Sequence, residues 1–417
     1  MIKAYPRAWL DLKNSEILSI LLQLSLIKRA SGTDKIEYFN RAFADYIGTA
    51  EAHSFTSCPA ATFFALKALE LDKGSEVIMP AYTFWVDAAV IALAGLTPVF
   101  VDVDFYTHNI DASQIEKAIT PKTKVLFPTH LNGLPADMDD IMALSKKYNL
   151  RVFEDTARSC GASYKGKKTG SFDIGLFSFG YGKSFYCFHG SMVTSNDKEF
   201  MNRLKELKKK FTPPPIKYVI TQAFKGMILK YLNNPRIYRF SLFPMARSYQ
   251  INGNKIFSKM FKVNKPPYQS IPRLFTQEMF NIQAKQGMKQ LKRIDLINHI
   301  RVKNAMILTK ELSDIKEINI PKYFNDRDHL ATHYAIWTEN KDALQNYLFK
   351  HHIDAQDESA EDITQMPQFV QYKRGKYTAA SNLQNKVLFI PTHPHLKPED
   401  MLYMAGVIKN FFKKKMN

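Results

Sequence analysis

The sequence predicts an α/β fold: a large domain built on a mainly parallel sheet with helices on both faces, followed by a smaller C-terminal α+β domain. Three observations predict it. Between residues 50 and 200, short runs rich in Val, Ile and Phe alternate with helix-length segments, the rhythm of strand–helix–strand units in a parallel sheet. The chain has 417 residues, 45% of them hydrophobic, enough for a large domain plus a smaller one. Beyond residue 275 a long helical stretch gives way to mixed strand and helix signals.

Strands are expected at 76–79, 98–102, 124–129, 151–154, 174–178 and 191–194, each bounded by Gly, Pro or Asp. Helices are expected between them at 60–71, 85–94, 113–118 and 138–148. The rhythm breaks over 211–271, which carries Pro213–Pro215, Pro235, Pro244, Pro266 and Pro267. A helical stretch from 276 to about 312 follows, in which Ile282, Met288, Leu291 and Ile294 share a buried face. Signals at 333–337, 342–350 and 398–412 suit the smaller domain. The organisation read from this is a large domain with an N-terminal arm over 1–200, a basic, Pro-interrupted insertion over 201–270, and a connecting helix with the small domain over 271–417.

Charge is unevenly placed. The formal net charge is +19, and the window 201–270 holds fifteen basic side chains against one acid, Glu206, so +14 of it sits there. No zinc spacing, basic-zipper heptad or aromatic RNA-binding signature accompanies it, and nucleic acid is not expected as a partner. Within the window, Val219, Ile220, Phe224, Met227 and Ile228 mix with Lys217, Lys225 and Lys230, and Arg236, Tyr238, Arg239 and Phe240 follow. Apolar bulk with snorkelling cations suits a segment lying on an anionic membrane surface, over about 211–270. The alternatives are an insertion packed on its own subunit or a partner, and a cationic patch that steers an anionic substrate. The cysteines, Cys58, Cys160 and Cys187, are odd in number and lack CxxC spacing, which suits a reduced, cytoplasmic protein. No run reaches the roughly 18 to 20 apolar residues of a membrane span; the best, 77–101, is broken by Pro80, Asp87 and Pro98.

Three features carry chemistry. Lys183 follows a predicted strand in Phe177-Ser-Phe-Gly-Tyr-Gly-Lys183-Ser-Phe-Tyr, where Gly180 and Gly182 bend the chain and aromatics flank it. A partly desolvated amine has a lowered pKa and suits Schiff-base chemistry; the bland alternative is a surface lysine. Asp155 ends the strand Arg151-Val-Phe-Glu-Asp155, at the sheet edge where ligands gather and where a carboxylate can hold a protonated pyridine nitrogen; the bland alternative is a helix cap. Ser57-Cys58-Pro59 opens a helix, and such a start offers free N–H groups to a phosphate. His130, His333 and His393 read as core or loop residues without metal-ligand spacing, and Cys58 and Cys187 as small packed residues.

An amine, an acid and a phosphate-ready helix start on one sheet suggest pyridoxal 5′-phosphate. Glu76-Val-Ile-Met-Pro-Ala-Tyr-Thr-Phe84, Thr97-Pro-Val-Phe-Val-Asp-Val-Asp104, His130-Leu-Asn-Gly133, Glu154-Asp155, Phe177-Ser-Phe179 with Lys183, Ile282-Gln-Ala284 and Ile390-Pro-Thr-His-Pro394 resemble, in order and spacing, the DegT/StrS family of sugar aminotransferases. The resemblance runs from about residue 5 to 412, outside the basic window. It implies the aspartate-aminotransferase type of fold (PLP fold type I) and a homodimer with the cofactor near the subunit interface. The implied reaction moves an amino group from an amino acid, usually glutamate, to a keto-deoxysugar nucleotide for a surface glycan or related product. By position, Lys183 would carry the cofactor and shuttle protons, Asp155 would pair with the ring nitrogen, Phe84 would stack on the ring, and Ser178, Ser57 and Cys58 would face the phosphate.

Some positions depart from the family pattern. Ser57-Cys58-Pro59 stands for Ser-Gly-Thr, Phe188-His189-Gly190-Ser191 for Gly-Glu-Gly-Gly, and Arg158 for a Gln that contacts the ring hydroxyl. As a fixed cation, Arg158 would favour a phenolate or reach a substrate phosphate. Thr276 aligns with an Asn that reaches the partner subunit's phosphate, and Glu278 with an Arg. These departures keep two other readings open: a non-catalytic, membrane-associated scaffold in glycan assembly, and another pyridoxal-phosphate reaction on a lipid-linked substrate.

Overall fold

A computed structural model describes residues 3–25, 34–252, 268, 270–356 and 360–416. Its main sheet has seven strands: β1 (Glu51–Phe55), β2 (Glu76–Pro80), β3 (Thr97–Val101), β4 (Thr123–Leu126), β5 (Arg151–Asp155), β6 (Ile174–Ser178) and β7 (Ser191–Ser195), in the order β3-β2-β4-β5-β6-β7-β1. From β3 to β6 every pairing is parallel, and β7 runs antiparallel to both β6 and β1. Six of these strands fall where the sequence places them, because strands covered on both faces read as unbroken apolar runs. The exception, β1, has the mixed sequence Glu-Ala-His-Ser-Phe and is recruited by pairing along β7, from Glu51↔Ser195 to Phe55↔Ser191.

The large body carries α1 (Asn14–Ser25), α2 (Asp34–Ile47), α3 (Cys58–Ala68), α4 (Val86–Leu93), α5 (Ala112–Ala118), α6 (Met138–Tyr148) and α7 (Lys198–Lys208). Side chains of α3 and α4, with Phe63, Leu66 and Val90, pack on one face of the sheet. On the other, Ile115 and Ile141 meet Ile78, Val99, Leu126 and Val152. Helix α6 shows why its ends were legible: Asp139 and Asp140 sit in its first turn, Lys146 and Lys147 in its last, and Asn149 closes it in the left-handed conformation.

The basic window is helical, as α8 (Ile216–Leu232), α9 (Pro235–Tyr238) and α10 (Leu242–Asn252). One face of α8 is buried through Ala223, Gly226 and Met227, of which Ala223 and Met227 join Leu10, Ile17, Tyr186, Phe188 and Phe280 in a separate core. Lys230 does not snorkel outward: it is turned inward, hydrogen-bonded to Asn14 and facing the carboxylates of Glu16 and Asp11. The opposite face leaves Lys217, Phe224, Lys225, Ile228 and Tyr231 exposed.

The helix expected over 276–312 is two helices, α11 (Asn281–Leu291) and α12 (Ile294–Leu312). They break at Arg293, whose backbone leaves the helical region (φ −140°, ψ 0°) while its guanidinium is held by Asp11 and Glu16 from the N-terminal segment. Local periodicity cannot register that long-range anchor. The second core surrounds the antiparallel pair β8 (Tyr334–Trp337) and β9 (Val387–Ile390), packed by α12, α13 (Lys341–Lys350) and α15 (Pro398–Met416), with α14 (Thr378–Lys386) leading into β9. Tyr5 joins this core and bridges to Ile353. Among the described residues no helix is long and apolar enough to cross a membrane.

Candidate active site

Asp155 is the last residue of β5. Its amide donates to the Pro128 carbonyl at 2.9 Å, and its Oδ1 accepts the Ala157 N–H at 2.9 Å. The neighbouring Glu154 points into the core, fully buried, and accepts N–H bonds from Gly170 and Phe172, each at 2.8 Å. His130 completes this support. Its Nδ1 accepts the Ala136 N–H at 3.0 Å, so the proton sits on Nε2, which donates to Glu154 at 3.2 Å. Alternation along β5 thus sends Glu154 inward as a brace and leaves Asp155 at the ligand edge.

Lys183 lies in the loop between β6 and β7, with Gly182 at φ +75°. The loop returns to β7 through Phe188, His189 and Gly190, at φ +58°, +70° and +97°, so two residues with side chains occupy a conformation that favours glycine. Packing holds them there: Phe188 is fully buried, its carbonyl accepts the Gln283 amide at 3.0 Å, and α8 is closed onto its ring at Gly226. A Cβ at Gly226 would come within 2.6 Å of that ring. The insertion therefore braces the lysine loop.

A cavity of about 130 Å³ opens between these elements, lined by Ser57, Cys58, Phe84, Asp155, Ser178 and Lys183 from the expected set, together with Asp87 and His189. Burial and the nearby Arg158 cation lower the Lys183 pKa to about 8, against the opposing pull of Asp155. Asp87 is buried beside Asp155, which pushes its carboxyl well up and favours the protonated form. At the start of α3, Ser57 caps the helix by accepting the Ala60 N–H at 3.4 Å, and Pro59 has none to give, leaving the Cys58 N–H as the free donor of that turn. Burial raises the Cys58 thiol pKa, which keeps it a packed residue and not a thiolate nucleophile. These groups suit pyridoxal phosphate: an amine with reduced proton affinity, a carboxylate, an aromatic face and hydroxyl and N–H donors converge on one space.

A second cavity, also about 130 Å³, meets the first at Lys183, and Arg158 lines it and not the first. Thr276 belongs to neither; it is exposed in the turn Arg273–Thr276, its hydroxyl donating to the Arg273 carbonyl at 3.2 Å. Sequence reasoning missed Asp87, His189 and Arg301. Asp87 left a usable signal, as the lone charge on the apolar helix α4; Arg301, one cation among many on α12, left none.

The chain matches the DegT/DnrJ/EryC1/StrS aminotransferase family over residues 16–213 and 254–409. It is 28% identical over 389 residues to the spore coat polysaccharide biosynthesis protein SpsC of Bacillus subtilis, covering 91% of this chain and 90% of that one. It is 39% identical over 181 residues to the GDP-perosamine synthase of Caulobacter vibrioides, covering 43% of this chain and 49% of that one. The fold superposes on the X-ray structure of the aminotransferase from Psychrobacter cryohalolentis with a TM-score of 0.79 at 23% identity, covering 99% and 100% of the two chains. With lysine, aspartate and aromatic gathered at the strand ends and the family matched along most of its length, the chain belongs to the DegT/DnrJ/EryC1/StrS family and is a pyridoxal-phosphate-dependent aminotransferase.

Proposed function

We propose that this enzyme moves an amino group from an amino acid, with glutamate as donor, to the keto carbon of a deoxysugar nucleotide in surface-polysaccharide biosynthesis. The donor's C–N bond breaks and one water supplies the carbonyl oxygen of the 2-keto acid left behind; the acceptor's carbonyl becomes an amine and its oxygen leaves as one water, so none is consumed overall. The observation that carries the reading is the convergence of Lys183, Asp155 and Phe84 on one cavity at the carboxyl ends of parallel strands. Two relatives, a GDP-perosamine synthase and a spore coat polysaccharide biosynthesis protein, support the sugar acceptor.

Pyridoxal phosphate, when bound, supplies the carbonyl that carries the amino group and the electron sink for proton removal. Lys183 would hold it covalently, Asp155 at the ring nitrogen, Phe84 at the ring face, and Ser57, the Cys58 N–H and Ser178 at the phosphate. The lowered pKa of Lys183 leaves a larger share of its Nζ unprotonated near neutral pH, fitting it to take up and return the substrate proton. Asp155, fixed by Ala157, keeps its carboxylate aimed into the cavity. Thr276, exposed and outside the pocket, would face a partner subunit in a homodimer.

Incubation with glutamate followed by nucleotide-linked keto-deoxysugars, with product mass as the readout, tests the proposal; 2-ketoglutarate formed without any amino sugar from a broad acceptor panel would count against it. Asp155→Asn should retain bound cofactor but lose about two orders of magnitude in turnover, because a neutral amide holds the ring proton weakly. Near-normal turnover in that variant would remove Asp155 from the mechanism.

A second feature supports peripheral contact with an anionic membrane: the outward face of α8 presents Phe224, Ile228 and Tyr231 beside Lys217 and Lys225. Reversing both lysines to glutamate should weaken sedimentation with phosphatidylglycerol vesicles by about tenfold or more. Equal sedimentation of wild type and variant would discard the membrane reading.

A further inference from the structure

A cavity of about 450 Å³ lies where the insertion meets the small domain, and it shares no lining residue with the two cavities at Lys183. Arg239 and Phe240 follow α9, Phe243 and Arg247 stand four residues apart on α10, and Lys350 ends α13 with His352 just beyond it. A helical spacing of four puts Phe243 and Arg247 on one face. The Phe243 ring fixes that face: buried, it stacks on Phe349 at 5.9 Å between centroids and meets the His352 ring at 5.6 Å. The Gln250 amide adds a second tie between α10 and α13, donating to the Gln345 side chain at 2.6 Å.

Arg239, Arg247 and Lys350 bring three cations to this space, and no Asp or Glu is among its described lining residues. Arg247 and Lys350 are exposed, and the Arg239 guanidinium lies over the Phe240 ring, 5.4 Å from its centroid. His352 is half-buried, and its Nδ1 is buried without a hydrogen-bond partner. The chain holds this histidine at φ +63°, a conformation that is costly for a residue with a side chain. Burial and the fields of Arg239, Arg247 and His351 lower its pKa, and no carboxylate is among the described groups acting on it.

Like charges gathered along a concave wall repel one another, and such a wall focuses its field on an incoming anion. A phosphate ester fits this wall better than a carboxylate. It offers about two negative charges and three strong acceptor oxygens to three cations and an imidazole, where a carboxylate has one charge and two oxygens. The organic part of the ester finds an apolar surface in Phe240, which is 78% exposed. The wall from Arg239 to Arg247 belongs to the stretch 214–253, between the two segments that match the family, so the reaction shared by the family does not account for it.

We propose that this cavity binds the phosphoryl group of a phosphate ester, with Arg239, Arg247 and Lys350 as the charged donors and His352 as a further donor. Two sources bring that group: the headgroup of an anionic lipid, or a soluble nucleotide. The site stands apart from the chemistry at Lys183 and does not depend on it.

The test titrates inorganic phosphate by calorimetry into cofactor-loaded protein, in which the cofactor's own phosphate site is filled. Arg247→Gln and Lys350→Gln should each weaken binding by about tenfold. Melting temperature and cofactor absorbance should stay at the wild-type values, because both side chains are exposed. Reversing Lys217 and Lys225 on α8 to glutamate should leave phosphate binding unchanged, which separates this cavity from the outward face of α8. Displacement of the variant-sensitive phosphate by dihexanoyl phosphatidylglycerol, below its micelle concentration, at lower concentration than by uridine diphosphate assigns the site to a lipid headgroup. The reverse order assigns it to a soluble nucleotide. Phosphate binding equal in wild type and both variants would overturn the site, as would the absence of saturable binding to wild type, or acetate bound as tightly as phosphate.

Discussion

Alanine at position 183 should abolish transamination, with turnover down by about four orders of magnitude or more, and borohydride should fix no cofactor to the protein. Lys183 is the one lysine lining the cavity that holds Asp155 and Phe84, so no described neighbour can replace its amine. Lys183→Arg keeps the charge but stays protonated and should be equally inactive. The environment of Lys183 adds a pH signature. With its pKa near 8, cofactor capture by the unloaded protein should rise with a midpoint near pH 8, well below that of an ordinary lysine. Arg158→Gln removes the cation that favours the neutral amine, and the midpoint should move upward. Stability follows the same sign: below about pH 8 the folded state carries the full penalty of a buried ammonium. Between there and the unfolded value near 10.5 the folded state alone has shed the proton, so stability rises with pH. Lys183→Ala should therefore melt above unloaded wild type at pH 7 and lose that advantage by pH 10. Turnover at the wild-type rate in Lys183→Ala would end the assignment.

Glu154→Ala should be the most destabilising single change near the site, by about 3 to 5 kcal/mol. The carboxylate is fully buried and accepts from Gly170, Phe172 and His130, so its loss strands two backbone N–H groups and an imidazole N–H in the core. Against the roughly 5 to 15 kcal/mol that separates folded from unfolded domains, that is a large share. Glu154→Gln keeps one acceptor and should lose less. Urea titration of the three proteins checks the order, and a wild-type midpoint in Glu154→Ala would show that the network is dispensable. Because Glu154 adjoins Asp155, variants that fold should also bind cofactor less tightly.

Legibility followed burial and range. Strands β2 to β7 were readable because covered strands are apolar runs between turn residues, and α6 because its end charges are local. Strand β1 was not, since its pairing depends on β7, some 140 residues away. The break between α11 and α12 escaped for the same reason, being held by Arg293 against Asp11 and Glu16. In the insertion, the mix of apolar and basic residues was plain, but which face turned inward was not: Lys230 reads like Lys225 in sequence and is buried against Asn14.

By itself the sequence determined the candidate groups and their local settings: an amine after β6, a carboxylate ending β5, and the helix start at Ser57-Cys58-Pro59. Those follow from short-range pattern, because a strand's end and the residue that ends it are set within a few positions. Only the tertiary structure decided which side chains share a space. Arg7, Arg158, Arg301 and His393 come from four separated segments and meet at one cavity beside Lys183, while Gly226 is pressed against Phe188 from a segment outside the sheet. Such meetings depend on how distant elements pack, and periodicity along one segment carries no record of the surface that will cover it.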